Sequence, residues 1–216
     1  MKKIVNLEIC SKCLGACCKK SGCDYMPNDF DDLSYENLLK VISERNISIV
    51  SELIFREIDG NFVATPILFL REKGVKKNTV DLVSMKNTCS SLTSTGCKYT
   101  LKERPSGGAS IIPSENYPAC PTTLNKQELL TSWIPYQETL TQIVKKLTGM
   151  SVEDRIRMDV RQLVIKYLSK DYDTIHPSTV KDTLQLITNI SKAYPKETKQ
   201  AAETYKNMQK IKSIRF

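Results

Sequence analysis

The residues best suited to chemistry in this chain are its cysteines, and all eight lie between positions 10 and 120 of 216. The densest stretch reads Cys10-Ser-Lys-Cys13-Leu-Gly-Ala-Cys17-Cys18, with Cys23 close behind. A second group holds Cys89 and Cys97, the latter directly after Gly96, and Cys120 closes the set. Sulfur ligates as thiolate, a soft donor suited to zinc and to iron–sulfur clusters. On a helix, Cys10, Cys13 and Cys17 would share one face, and Cys18 would point about 100° away. The vicinal Cys17 and Cys18 are therefore expected to serve two different ions, or only one of them to ligate. Gly96 permits the tight backbone that a ligand loop needs. We expect Cys10, Cys13, Cys17, Cys18, Cys23, Cys89, Cys97 and Cys120 to be metal ligands. Local clusters supply two or three each, and distant ones fold back to complete the coordination. Metal binding is then folding energy for this part of the chain.

Disulfides are the rival use of so many cysteines, and compartment decides between the two. After Met1-Lys2-Lys3 only Ile4 and Val5 precede Asn6, so the apolar core of an export signal is missing. The expected location is cytoplasmic, where thiols stay reduced. A membrane is not an expected partner: the most apolar run, Phe62 to Leu70, is far shorter than the roughly 20 residues that span a bilayer. Cys10 and Cys13 form a Cys-x2-Cys pair, which suits four-cysteine zinc sites and iron–sulfur ligation alike. Zinc is the preferred cofactor and an iron or iron–sulfur centre the alternative.

The order Cys10…Cys17-Cys18, Asp29-Phe30, Cys89…Gly96-Cys97-Lys98-Tyr99, Arg104-Pro105, Cys120 resembles the YkgJ-type cysteine-cluster family. The resemblance covers residues 10–120 and implies a zinc- or iron-chelating domain built on eight cysteines. Two spacings depart from it. Three residues separate Cys13 from Cys17 where the family commonly has two, and a long loop lies between Arg104-Pro105 and Cys120. The longer first spacing is similar to that of flagellin lysine N-methylases, which are much larger. That likeness implies metal-dependent group transfer as an alternative activity, with no substrate indicated.

Other candidates are weaker. His176 is the single histidine and precedes Pro177 in a turn, so no hydrolytic triad can be assembled. Ser106-Gly107-Gly108 after Arg104-Pro105 could present backbone N–H groups to an anion. Asp24, Asp29, Asp31 and Asp32 lack calcium-loop spacing and suit a helix start better. The formal charge of +8 counts every cysteine as a neutral thiol. Eight thiolates around two divalent ions would lower it to about +4, so basicity alone argues little for nucleic acid. The exception is the tail, where Lys192, Lys196, Lys199, Lys206, Lys210, Lys212 and Arg215 face only Glu197 and Glu203. A protein or other acidic partner, or a nucleic acid, would meet the chain there.

Stepping from these residues to their supports, the chain divides into a cysteine-cluster region, 1–124, and a helical region, 125–216. The predicted fold class is α+β: a cysteine-rich, metal-organised domain with a small antiparallel hairpin sheet, plus a C-terminal helical bundle. Leu33 to Arg45 has helical spacing with acidic residues at its start. Apolar runs 53–58 and 62–70 flank Asp59-Gly60-Asn61, a hairpin signal, and Pro66 predicts an edge strand. Val80 to Val83 predicts a further strand. Four helices are expected beyond: 127–147 interrupted at Pro135, one opened by the capping box Ser151-Val-Glu-Asp154, one starting at Pro177, and a basic one after Pro195.

Overall fold

The computed structural model describes residues 12, 13, 15, 18, 19, 22–45, 47–73, 79–83, 88–94, 96–100, 102–115, 120–170 and 177–214. Side chains are described for all of these except 177–182 and 212–214. Cys10, Cys17 and His176 fall outside the described residues, and with them the expected division of labour between Cys17 and Cys18.

The fold is α+β, with a small antiparallel sheet and several helices. Its hairpin joins β2 (Ile47–Ile58) to β3 (Asn61–Glu72) through Asp59 and Gly60. Both turn residues have positive φ, 50° and 74°. That is the two-residue turn whose twist matches the strands it joins. A short β1 (Cys23–Asp24) pairs with the far end of β3, Cys23 opposite Glu72 and Asp24 opposite Arg71. The strand order is β1-β3-β2, so β3 is central and the edge-strand expectation from Pro66 is corrected.

Pro66 is tolerated there for a local reason. Tyr25 N–H donates to the Leu70 carbonyl at 2.9 Å, so Leu70, Leu68 and Pro66 aim their backbone polar groups away from β2. Pro66 opposes Leu53 beyond the reach of β1 and forfeits no ladder bond. Two residues along, the gap is filled by a side chain. Leu68 N–H donates to Gln137 Oε1, and Gln137 Nε2 donates to the Leu68 carbonyl, both at 2.8 Å. An amide thus stands in for a neighbouring strand. Gln137→Ala should leave both backbone groups unpartnered and cost about 1–3 kcal/mol in denaturant unfolding. A loss too small to measure would mean that this edge does not need its plug.

Val80 to Val83 forms no strand. It makes one parallel bridge, with Ile49 N–H donating to the Thr79 carbonyl at 2.8 Å and Asp81 N–H to the Ile49 carbonyl at 3.0 Å. The next two donors turn elsewhere: Leu82 N–H and Val83 N–H both go to Asp159 Oδ2, at 2.9 and 3.4 Å. Burial holds the Asp159 carboxyl above the usual carboxylate range, against the pull of Arg155, whose Nε donates to it at 2.9 Å.

The helices fall where the spacing places them. α1 (Tyr35–Glu44) starts at Ser34, whose Oγ accepts from Asn37 N–H, and buries Leu38 and Ile42. After a four-residue α2 (Ser106–Ala109) come α3 (Lys126–Trp133) and α4 (Gln137–Thr148), separated by a 3-10 turn over Ile134–Tyr136 that contains Pro135. α5 (Val152–Leu168) opens on Ser151, whose Oγ accepts from Asp154 N–H at 3.1 Å and donates to the Asp154 carboxylate at 2.7 Å. α6 (Pro177–Ala193) and the basic α7 (Pro195–Ile214) complete the chain. One apolar core runs through both regions, from Leu38 and Ile42 through Leu68 and Leu70 to Trp133, Leu140, Val160 and Ile190. Cys18, Cys23 and Cys89 form a second, separate cluster. Among the described residues no helix is long and apolar enough to cross a membrane.

Candidate metal centre

The second cluster gathers at the end of β3, where chain segments distant in sequence meet. Cys23 sits on β1, held there by its pairing with Glu72. Cys18 lies just before it, and its carbonyl accepts from Cys89 N–H at 2.8 Å, which ties the two loops together. Cys97 lies on β5 (Gly96–Cys97), opposite Leu92 on β4 (Leu92–Thr93). Gly96 has φ +118°, open to glycine and strained for other residues, as its place before a ligand loop suggests.

Cys18, Cys23 and Cys89 are almost fully buried, with Leu92 packed against them. Their thiols touch. Cys89 sulfur is hydrogen-bonded by the thiols of Cys18 and Cys23, and Cys97 sulfur by that of Cys18. The contacts therefore run as a chain, Cys23–Cys89–Cys18–Cys97. None of the six described cysteines is joined in a disulfide. Cys13 and Cys120 stand outside this chain of contacts; the Cys120 thiol donates to the Ser114 carbonyl at 3.7 Å.

Electrostatics favour thiolate here. Donation from the Cys18 thiol, then from Cys23, pulls Cys89 down to about 3, against burial, with help from Ser91 N–H at 3.4 Å. The Cys18 thiol likewise lowers Cys97 to about 6, assisted by Tyr99 N–H and by the charge of Arg104, and opposed by burial and the Cys89 charge. Arg104 carries the single buried side-chain N or O atom that lacks a partner among the described residues, its Nε. A guanidinium donor without an acceptor, beside a sulfur it polarises, suits a site that carries several thiolates.

The donors are of the soft kind that zinc and iron centres take: sulfurs from separate segments, mostly buried, with cationic charge nearby. The sulfurs make pairwise contacts, and among the described residues no three His, Cys, Asp or Glu side chains form a group that could hold a metal ion.

The walls of the site explain the Gly pair after Arg104-Pro105. A Cβ on Gly108 would stand 2.7 Å from Cys23 Sγ, and one on Gly107 would stand 2.6 Å from the Asp24 carbonyl oxygen. These glycines let α2 press against β1. The turn, a weaker candidate for anion binding, is met by a carboxylate of the protein itself: Asp29 accepts from Ser106 N–H at 3.0 Å and from Ser106 Oγ at 2.7 Å.

Sequence reasoning missed Glu72. Its carboxylate is 1% exposed and accepts from Tyr25 Oη at 2.5 Å, Ser90 Oγ at 2.9 Å, Ser91 Oγ, and Tyr99 Oη at 3.3 Å. Lys98 Nζ lies 3.9 Å away. Burial and the adjacent Glu72 charge hold the Tyr25 phenol far above the usual tyrosine range. A signal was present: strand alternation puts Glu72 on the same face as Leu68 and Leu70, an inward position for a charge.

A separate concavity of about 370 Å³ lies between β2, residues 81–83 and α6. Its buried charges are matched within the protein, Lys73 with Asp81 at 2.8 Å and Arg71 with Asp24 at 2.5 Å. It offers a ligand no unpaired charge at those positions.

No family model, curated protein or solved structure matches this chain.

Proposed function

We propose that this protein binds a metal ion through a thiolate site built on Cys18, Cys23, Cys89 and Cys97, with zinc preferred and an iron or iron–sulfur centre as the alternative. One observation carries the reading: four thiols, none of them in a disulfide, are linked pairwise at the end of β3, and two of them are biased toward thiolate. A dry core has little use for such an arrangement. Buried cysteines that serve only as small apolar residues are driven toward the neutral thiol by burial. Here the neighbouring thiols, backbone N–H groups and Arg104 outweigh that tendency.

The residues divide the work plainly. Four thiolates would supply a closed coordination set, Arg104 would offset part of their charge, and Leu92 with the Gly107–Gly108 wall would limit access of water. A closed four-sulfur set leaves no open position for substrate, so the ion would act by holding the loops together.

Elemental analysis of the full-length protein purified without oxygen tests this. At least one zinc per chain in colourless protein, or iron with broad visible absorption, is the expected result. Protein that is metal-free as purified, and takes up neither zinc(II) nor iron(II) after reduction, would overturn the reading.

A further inference from the structure

We propose that Glu72 is the positioning residue of the thiol site, the single carboxylate through which the cysteine loops are set relative to one another. The inference deepens the metal-binding reading and rests on it for one arm of its test, while the other arm stands without metal.

Three of the four converging cysteines are followed at once by residues that donate to this carboxylate. Tyr25 follows Cys23 by two positions, Ser90 and Ser91 follow Cys89, and Tyr99 follows Cys97 by two, with the Lys98 ammonium between them 3.9 Å from the carboxylate as an ion pair. The fourth, Cys18, is tied to Cys89 through its own carbonyl. Glu72 is also the cross-strand partner of Cys23, so its backbone and its side chain act on the same cluster. Its position ends the twelve-residue strand β3, whereas Cys23 and Cys97 lie in two-residue strands and Cys89 outside any strand or helix. The strand therefore provides the reference frame, and the carboxylate extends that frame to each loop.

Chemistry explains why an acidic residue is needed. The two carboxylate oxygens offer about four lone-pair sites, and four hydroxyls converge on them. A glutamine at 72 would replace one acceptor with an NH2 donor facing hydroxyls that have been donating. Three of the hydroxyls meet Oε1 and one meets Oε2, so the carboxylate is engaged mainly by the loops that carry the sulfurs and acts through them. Partners of this kind, one shell outside the ligands, orient them and are costly to lose.

The experiment compares full-length wild type, Glu72→Gln, Ser91→Ala and the double variant. Cobalt(II) is the optical probe and zinc(II) its competitor. Glu72→Gln should weaken metal affinity about ten- to a hundredfold and alter the thiolate-to-cobalt absorption. Ser91→Ala should weaken it less, and should add nothing in the Glu72→Gln background, because both changes cut the same spoke. A variant with lowered Tm but unchanged affinity and spectrum would show a merely structural role and overturn the proposal. If wild type takes up no metal, the metal reading fails, and Glu72 is judged on the reduced, metal-free protein. There Glu72→Gln should let iodoacetamide label Cys89 severalfold faster; equal rates would overturn the positioning role. Should Glu72→Gln not fold, Ser91→Ala and Tyr99→Phe take its place, and unchanged affinity in both would count against Glu72.

Discussion

Replacing Cys89 with serine should abolish binding at the proposed metal site, whereas the same replacement at Cys120 should leave bound metal at the wild-type level. Cys89 is an inner link of the thiol chain, in contact with both Cys18 and Cys23, and is the most deeply buried cysteine of that cluster. A hydroxyl there would be a poor match for a soft ion and would stay protonated where the thiol is held ionised. The loss should exceed the roughly hundredfold upper end of an outer-shell change, because a direct ligand is removed. Cys120 instead donates to the carbonyl of Ser114, within its own loop. Metal per chain after equilibration with a competing chelator reads the difference. Metal retained by Cys89→Ser and lost by Cys120→Ser would mean that the wrong sulfurs have been assigned. The structure also predicts how far the damage spreads. The cysteine cluster is separate from the apolar core that binds the hairpin to the helices. Far-ultraviolet circular dichroism of Cys89→Ser should therefore stay close to wild type, while near-ultraviolet signals around Tyr25 and Tyr99 change.

Much of this architecture could be read from residue order because its causes are local. Asp59-Gly60 dictates its own turn, Ser151 and Asp154 cap the helix they begin, and Pro135 breaks the helix it interrupts. The central position of β3 was not legible. It depends on β1, two residues long, being joined to residues 71 and 72 by tertiary contacts. Val80 to Val83 misled for a similar reason: its apolar character suits a strand, but Asp159, far along the chain, takes two of its donors. At the candidate site the residue type was informative and the grouping was not. Spacing marked Cys13 as strongly as Cys18, and only the fold shows that the Cys18 backbone meets Cys89. Glu72 could have been found by alternation along β3, but its partners could not. Tyr25, Ser91 and Tyr99 gain their meaning only when three loops close on one carboxylate.

Trp133→Ala should be among the most destabilising single changes outside the cysteine cluster, at about 3–5 kcal/mol. Trp133 is fully buried and is the largest of the fully buried side chains. Its ring meets Phe30 and Tyr136 edge-on, with centroids 6.3 and 5.9 Å apart, and Phe30 in turn lies 5.2 Å from Tyr25. No neighbouring side chain can refill that volume without leaving its own contacts, so most of the cavity should persist. The indole also donates from Nε1 to the Tyr25 carbonyl at 2.8 Å. That bond links α3 to the segment whose phenol rests on Glu72, and so links the helical core to the loops of the thiol site. Trp133→Phe separates the two contributions. It keeps much of the ring and leaves the Tyr25 carbonyl without its donor, at an expected cost of about 1–3 kcal/mol. In a chain of this size each kcal/mol lowers Tm by about 2–4 °C, so thermal unfolding resolves both variants from wild type. Metal affinity gives the second readout: Trp133→Phe should weaken it modestly, because Tyr25 loses one of its three hydrogen-bonded anchors while those to Leu70 and Glu72 remain. A Trp133→Phe protein as stable as wild type would show that the bond to Tyr25 carries no weight and that core and cluster are held together without it.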